Sequence, residues 1–471
     1  MSIKAENIEF TYFEERKSTL TGLTAEFSRD KITVLTGASG SGKSTLLYLL
    51  AGVYPQAAGM LKDGKITVEG KDPSEQRPQK RCALVGMMFQ NPELQFCMDT
   101  VRNELIFCLE NVGADVSVFE ERMREALEFC EISHLENRTL LSLSGGERQK
   151  VMLACLVMLN PAWLLLDEPF ANIDNASAQA IARKLKQLHE ERGTGILAVD
   201  HRLDTWLAAA DEIRVVENGC LREERFRPAE LDENFLEELG IIVPGRSYQA
   251  QLPPVQPGEV VLSLEHLTLS HGEKQVLRDV TAQFRSGVIY AIQGESGSGK
   301  SSLFGALSGL YRYGGHALVH GKECRKLKKK ELGVMGFVTQ NPQDQFVGGT
   351  VRQEVAASLR KRPDRDAVSE KILREIRLWR YRDVSPYLLS QGQQRRLGVA
   401  ALMANDCRVL ICDEPTYAQD RNNTRAIMDH LCRQAREHGV VFIFSTHDPQ
   451  LACDYADVRL ELKEGVLREI H

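Results

Sequence analysis

The sequence lacks the features that mark several large classes of protein. Its 11 cysteines are scattered without a C-x-x-C pair, so neither a zinc-type site nor the disulfide framework of a small secreted domain is expected. The first residues, MSIKAENIEF, do not predict a signal peptide, because no basic region precedes an apolar one. The longest apolar stretch, Val151 to Leu159, is too short to span a bilayer, so a role at a membrane needs another subunit.

The chain also lacks a large excess of charge of one sign. The formal net charge is -6, with 26% charged and 43% hydrophobic residues, which is ordinary globular composition. This balance argues against a nucleic-acid binder that works through a broad basic face. The basic run at residues 326–330 is better explained as solvated surface. Direct binding of nucleic acid is therefore not expected.

What the sequence does contain is one series of motifs, present twice. Lys43 and Lys300 are 257 positions apart, and Asp167 and Asp413 are 246 apart, so the order is kept and the spacing drifts only slightly. This pattern indicates duplicated domains. The paired motifs are GASGSGKST and GESGSGKSS, FQNPELQF and TQNPQDQF, LSLSGGERQK and LLSQGQQRRL, LLLDEP and LICDEP, and ILAVDH and VFIFSTH.

The repeat predicts three parts: domains at residues 1–225 and 258–471, and a linker at 226–257. The linker contains an acidic stretch that predicts a short helix, and then PGRSYQAQLPPVQPGE, whose prolines and glycines are typical of an exposed connection. In both domains, short apolar runs lead through glycine-rich turns into helical patterns. Strands that alternate with helices predict an α/β fold that binds its ligand at the carboxyl ends of the strands.

Both domains match the phosphate-loop pattern G-x-x-x-x-G-K-S/T between a predicted strand and a helix. In such a loop the backbone N–H groups converge on the phosphates, the lysine reaches the β- and γ-phosphates, and the serine hydroxyl binds Mg²⁺. We therefore expect ATP and Mg²⁺ as cofactors. The predicted loop residues are Gly37, Ala38, Ser39, Gly40, Ser41, Gly42, Lys43, Ser44 and Thr45, and Gly294, Glu295, Ser296, Gly297, Ser298, Gly299, Lys300, Ser301 and Ser302.

Acidic pairs follow a predicted buried strand in both domains. Asp167 and Asp413 end these strands, where a carboxylate can hold Mg²⁺ through water. Because successive side chains diverge on an extended backbone, Glu168 and Glu414 are expected to face the γ-phosphate as general bases or water-positioning groups. A D-E pair that only caps a helix would be a fair explanation of one copy. Helix capping does not explain well why the pair occurs twice, each time before a proline and after a phosphate loop.

Together these residues resemble the ABC transporter ATPase family over nearly the whole chain outside the linker. The most specific mark is the signature L-S-G-G-E at Leu143 to Glu147. The resemblance implies P-loop domains with a mixed sheet flanked by helices and a helical subdomain that carries the signature. It also implies that the signature of one domain completes the ATP site of the other, which makes the chain a pseudo-dimer. The implied signature residues are Ser144, Gly145 and Gly146, and Ser390 and Gly392.

The resemblance also assigns the glutamines and histidines of the repeat. The family's Q-loop glutamine senses Mg²⁺ and water and touches the membrane partner, and its switch histidine contacts the γ-phosphate. An isolated histidine after an apolar strand is more often structural, so this assignment rests on order and spacing. The implied catalytic residues are Glu168, Glu414, His201, His447, Gln90 and Gln340. The implied Mg²⁺ ligands are Ser44, Asp167, Gln90, Ser301, Asp413 and Gln340.

The two copies differ at the expected nucleotide sites. Tyr12, 25 residues before Gly37, is similar to the family's adenine-stacking aromatic, whereas His271 takes that place in the second copy and offers less area. Gln391 stands where the family signature has its first glycine, and a side chain there can crowd a close approach. We therefore expect the site of Tyr12 to hold ATP longer and the site of His271 to turn over faster.

A narrower resemblance is to the ATPase subunits of energy-coupling factor transporters, which take up vitamins or transition-metal ions. It rests on QNPELQF with TVRNEL, on QNPQDQF with TVRQEV, and on VDHRLD around His201. It implies an integral membrane coupling protein and a membrane substrate-binding subunit as partners, and a peripheral location on the cytoplasmic face of the cell membrane. Two alternatives remain: the fused ATPase of a sugar importer, and a soluble ABC protein that acts on ribosomes.

Overall fold

The structure is a computed structural model whose described residues form two compact units, Met1–Val243 and Pro244–His471. We call them the first and second unit. The described residues are 1–13, 17–56, 58–90, 95–170, 173, 175–243, 245–272, 274–295, 297–327, 334–339, 342–359, 362–389, 391–404, 407–416 and 419–470. Among them, no helix is both long and apolar enough to cross a bilayer.

The first unit alternates strands and helices as the sequence predicts. Its strands are β1 (Ser2–Tyr12), β2 (Leu20–Ser28), β3 (Ile32–Thr36), β4 (Gly59–Val68), β5 (Val85–Met88), β6 (Trp163–Asp167), β7 (Gly195–Val199), β8 (Glu212–Glu217) and β9 (Cys220–Phe226). Its helices are α1 (Lys43–Leu50), α2 (Pro78–Leu84), α3 (Val101–Asn111), α4 (Phe119–Phe129), α5 (Gly145–Leu159), α6 (Asn175–Arg192) and α7 (Glu233–Glu238).

The main sheet of the first unit has the order β5-β6-β7-β3-β8-β9. The strands from β5 to β8 pair in parallel and β9 pairs antiparallel, so the sheet is mixed. Strands β3, β6 and β7 are buried along their whole length, which explains their continuous apolar sequences. A separate antiparallel sheet has the order β2-β1-β4. Helices α3, α4 and α5 bury Leu105, Met123 and Val151 in one core and form the helical subdomain.

The second unit has the same architecture. Its strands are β10 (Val260–His271), β11 (Lys274–Arg285), β12 (Ile289–Gln293), β13 (Gly314–Val319), β14 (Lys322–Glu323), β15 (Met335–Val338), β16 (Val409–Cys412), β17 (Val441–Ser445), β18 (Val458–Lys463) and β19 (Val466–Ile470). Its helices are α8 (Lys300–Leu307), α9 (Val351–Ser358), α10 (Arg365–Glu375), α11 (Gln391–Met403), α12 (Arg421–His438) and α13 (Pro449–Tyr455). The sheet order β15-β16-β17-β12-β18-β19 repeats that of the first unit.

The segment predicted as an exposed linker is divided between the units. Leu236 on α7 and Ile241 are buried in the core of the first unit. Tyr248 is buried in the second unit, where its hydroxyl donates to the Asp448 carboxylate at 2.7 Å. The Arg421 guanidinium lies 4.8 Å from the centre of the Tyr248 ring. At these residues the linker prediction is wrong, because the apolar side chains have partners in the adjoining unit.

Candidate functional site

The phosphate loops lie between the central strand of each main sheet and the helix that follows. In the first unit, β3 ends at Thr36, and Gly42 caps α1 with a left-handed backbone of φ 100°. At Gly37, φ is +137° and a Cβ would lie 2.2 Å from the Val216 carbonyl oxygen. At Gly294, it would lie 2.5 Å from the Leu462 carbonyl oxygen. Only glycine fits either position, so both loops have the compact form that lets N–H groups surround an anion.

A buried lysine ammonium lies inside each loop. Lys43 Nζ donates to the carbonyl oxygens of Gly37 at 2.8 Å and Ala38 at 2.9 Å. Lys300 Nζ donates to those of Gly294 at 2.7 Å and Glu295 at 2.9 Å. Both ammonium groups are thus held at the amino terminus of a helix, where the helix dipole also favours negative charge. The loops have the charge and shape that a polyphosphate requires.

Asp167, at the end of β6, and Asp413, directly after β16, both lie beside the serine of their phosphate loop. Ser44 Oγ donates to Asp167 Oδ1 at 3.0 Å. Burial and the neighbouring Glu168 charge raise the pKa of Asp167 to about 7, against the opposing effects of Ser44 and Lys43. This oxygen pair is the type of donor set that Mg²⁺ prefers.

Asp413 in the second unit has an additional partner. Ser445 Oγ donates to Asp413 Oδ1 at 2.6 Å, and Ser301 also hydrogen-bonds this carboxylate. Burial nevertheless raises the pKa of Asp413. Ser445 was not predicted from the motifs, although the repeat contains a signal: one switch histidine ends the sequence FSTH and the other ends AVDH, with Val199 in the place of Ser445.

The two glutamates have the same unusual backbone. Glu168 and Glu414 both have φ of +50°, in the left-handed region that non-glycine residues seldom adopt. The Glu168 N–H donates to the Val199 carbonyl at 2.9 Å, and the Glu414 N–H donates to Ser445 Oγ at 2.9 Å. The prediction that an extended backbone separates each Asp from its Glu is therefore wrong. A left-handed turn at the strand end separates them, and the adjacent strand holds it.

Each glutamate lies against its switch histidine. The distance from His201 Nε2 to Glu168 Oε1 is 3.3 Å, and that from His447 Nε2 to Glu414 Oε1 is 2.8 Å. Gln90 also hydrogen-bonds Glu168. Burial alone raises the pKa of each glutamate, but the histidine and the loop lysine more than offset it, so both pKa values lie below the usual range. Both glutamates are therefore ionised near neutral pH, which is the form that can accept a proton.

The predicted adenine-stacking residues end strands β1 and β10, and their side chains contact the first turn of the helix after each loop. Tyr12 and Thr45 are hydrogen-bonded through their hydroxyls at 2.8 Å, and His271 Nε2 lies 3.1 Å from Ser302 Oγ. A second aromatic ring meets each of them edge-on. The ring centres are 5.9 Å apart for Tyr12 and Tyr54, and 4.8 Å apart for His271 and Tyr311. These two tyrosines were not predicted from the sequence, although both stand 11 residues after the loop lysine.

The first signature is the amino-terminal cap of α5. The Ser144 N–H and hydroxyl donate to the Glu147 carboxylate at 2.7 and 2.8 Å, and the Glu147 N–H lies 3.3 Å from Ser144 Oγ. Gly145 and Gly146 begin the helix, so their N–H groups lie at its amino terminus, where negative charge is favoured. In the second unit, Gly392 lies in the first turn of α11. The predicted site residues Ser296, Gln340 and Ser390 lie outside the described residues.

Comparisons with known proteins agree with this geometry. The family described as ABC transporter matches residues 20–171 and 277–417. A Bacillus subtilis (strain 168) protein provisionally named HMP/thiamine import ATP-binding protein YkoD is 30% identical over 495 residues, covering 98% of this chain and 90% of that protein. A Methanosarcina mazei protein provisionally named ABC transporter ATP-binding protein is 30% identical over 479 residues, covering 99% and 94%.

Solved structures show the same tandem fold at lower identity. A chain in a structure of ribosome-bound archaeal Pelota and ABCE1 has a TM-score of 0.66 at 19% identity, covering 94% of this chain and 74% of that one. An RNase-L inhibitor has a TM-score of 0.61 at 18% identity, covering 99% and 90%. The family match, the long relatives and the paired loops agree. The chain therefore belongs to the ABC transporter family, and it is a transporter ATPase with two ATP-binding domains in tandem.

Proposed function

We propose that this chain hydrolyses ATP to energise an energy-coupling factor importer for a vitamin or a transition-metal ion. It would act on the cytoplasmic membrane face through an integral membrane coupling protein, which holds a separate membrane substrate-binding subunit. The name of the Bacillus subtilis relative, an HMP/thiamine importer ATPase, favours the vitamin class. The ribosome-bound neighbours are below 25% identity and support the fold alone.

The chemistry proposed for each site follows from its geometry. Bound Mg²⁺-ATP supplies the γ-phosphoryl group that is transferred to water. The loop lysines hold the phosphates, and the loop serines with Asp167 and Asp413 hold Mg²⁺. Glu168 and Glu414 accept a proton from the attacking water, and the histidine beside each fixes its carboxylate. Tyr12 and His271 supply the surface for the adenine.

One observation carries the importer proposal: in both units the segment after the Q-loop glutamine ends in an exposed turn that a buried glutamate holds by two hydrogen bonds. Buried Glu104 accepts from the N–H groups of Cys97 at 2.9 Å and Met98 at 2.8 Å. Buried Glu354 accepts from those of Val347 at 2.8 Å and Gly348 at 2.6 Å.

Both turns present an apolar side chain to the surface. Met98 is 37% exposed and Val347 is 74% exposed. Because a buried carboxyl group fixes each turn by two hydrogen bonds, these side chains stay outward at little entropic cost. Paired turns of the same construction suit two matching contacts on one membrane protein.

Co-expression with the coupling protein tests this proposal. Met98→Asp and Val347→Asp are expected to reduce co-purification with that protein and vitamin uptake at least about tenfold, since each puts a charge into an apolar contact. ATPase activity of the isolated chain should stay within about twofold. Met60→Asp is the matched control, because Met60 is 56% exposed in β4 and outside the Q-loop. Normal uptake by both turn variants, or co-purification of the wild type with ribosomes instead, would overturn the proposal.

A further inference from the structure

A buried arginine links three parts of the second unit. Arg395 is 2% exposed and lies on α11, the helix that follows the signature. Its Nη1 donates to the carbonyl of Thr339, the last residue before the Q-loop glutamine. Its Nη2 donates to the carbonyl of Glu414 and lies 3.5 Å from that of Asp413. One guanidinium therefore joins the signature helix, the start of the Q-loop and the glutamate turn.

The carbonyl oxygens of Thr339, Asp413 and Glu414 need a hydrogen-bond donor from outside the sheet. Strands β15 and β16 are parallel neighbours with Val338 opposite Cys412, so Thr339 and Asp413 both lie just beyond the end of a ladder. The Asp413 N–H still donates to the Val338 carbonyl at 2.9 Å, but the next carbonyls have left the sheet. A planar fork of N–H groups can bind several of them at once, which an ammonium or an amide cannot do as well.

The first unit is built differently at the equivalent residue. Gln149 stands 246 positions before Arg395, the same offset as between Asp167 and Asp413, and its Nε2 lies 3.5 Å from the Glu168 carbonyl. The neutral amide thus repeats the contact with the glutamate turn at the outer limit of a hydrogen bond.

A loop residue fixes the Q-loop of the first unit instead. Gln95 Oε1 accepts from the Phe89 N–H at 2.8 Å, and Gln95 Nε2 donates to the Met87 carbonyl at 3.0 Å. The equivalent Gln345 is partly buried, and its two buried amide atoms have no hydrogen-bond partner in the part of the chain that the structure describes. Arg395 therefore holds the start of the Q-loop in the second unit, as Gln95 does in the first.

We propose that Arg395 is a positioning residue for Glu414, because its guanidinium binds the start of the Q-loop and the backbone of the glutamate turn together. A shift of this Q-loop then moves the backbone of the Glu414 turn through one guanidinium, whereas in the first unit Gln95 holds the start of the loop and Gln90 contacts the Glu168 carboxylate directly. Arg395 itself does not touch the reacting atoms. The inference rests on the proposed role of Glu414 as the general base.

The test uses the full chain with Glu168→Gln, so that hydrolysis depends on Glu414. In this background, Arg395→Gln is expected to lower kcat about 10–100-fold, the effect of losing hydrogen bonds from a charged group, with the KM for ATP within about twofold. Arg395→Lys keeps the charge but not the fork and should recover only part of kcat. Should Arg395→Gln fail to fold, the lysine variant decides alone, and full kcat there would refute the proposal.

A matched control separates positioning from stability. Arg436 lies on α12, and its largely buried side chain donates to the Gly287 carbonyl and pairs with Asp457, away from the glutamate turn. Arg436→Gln should lower the melting temperature as much as Arg395→Gln while leaving kcat unchanged. Equal kcat losses in both variants, or an unchanged kcat in Arg395→Gln, would overturn the proposal. Adding Glu414→Gln to Glu168→Gln checks the premise: if hydrolysis persists, the role of Glu414 fails and not that of Arg395.

Discussion

The two units have the same backbone conformation at the proposed reactive residues, but different groups hold that backbone in place. Glu168 and Glu414 share a φ of +50°, and both loop lysines bind two loop carbonyls in the same way. The groups that support this geometry differ: a valine carbonyl or a serine hydroxyl at the glutamate N–H, and Gln95 or Arg395 at the Q-loop. Equal motifs therefore do not imply equal sites, because rates depend on how firmly each group is held.

The largest expected effect tests what the units share. Lys43→Ala and Lys300→Ala should each weaken ATP binding at their own site about 10–100-fold, because a charge-assisted phosphate contact is worth about 1.5–3 kcal/mol. Titration with a fluorescent nucleotide, in a chain whose other loop is intact, measures each loss. Lys31→Ala is the control, since Lys31 pairs with Glu212 away from the loop. Unchanged affinity in both loop variants would contradict the assignment.

A smaller effect should separate the adenine surfaces. Tyr12→Ala is expected to weaken ATP binding about fivefold at its site, and His271→Ala only about twofold, because the tyrosine ring offers more stacking area. The same titration measures both losses. Tyr12→Phe should bind nearly as well as wild type if area decides, and losing affinity there would point to the hydroxyl contact with Thr45 instead.

The smallest effect concerns the two Q-loops. Gln95→Ala removes two hydrogen bonds and should cost about 1–2 kcal/mol of local stability, so the Phe89 amide should exchange about 5–30-fold faster. Gln345→Ala should leave exchange at Thr339 unchanged, because no bond of the described residues is lost. Hydrogen exchange of the two peptides measures both. Faster exchange at Thr339 in Gln345→Ala would show that Gln345 does hold its loop.

Much of the fold and the reactive residues could be predicted, because phosphate chemistry restricts the local sequence. A phosphate loop needs glycines at fixed spacing, and buried parallel strands need continuous apolar runs, so both leave clear patterns. The order of motifs was enough to assign both Glu168 and His201 to the γ-phosphate, although they are 33 positions apart.

The supporting residues could not be predicted in the same way. Ser445 and Arg395 act through backbone carbonyls and N–H groups of distant segments, and no local spacing records such contacts. Burial of Tyr248 was missed because the composition of its segment favours a loop, whereas a tertiary contact with Asp448 decides its position. The left-handed turn at Glu168 was missed because the motif specifies the residue and not its φ.

We expect the second unit to hold Glu414, its proposed general base, more firmly than the first unit holds Glu168, through the 2.8 Å contact with His447 and the clamp by Arg395, and so to hydrolyse ATP faster. The direct measurement compares steady-state ATPase rates of Glu168→Gln and Glu414→Gln in the full chain. We predict the larger loss for Glu414→Gln, at least about threefold beyond the other, which is less than 1 kcal/mol of barrier. An equal loss, or a larger one for Glu168→Gln, would contradict the account.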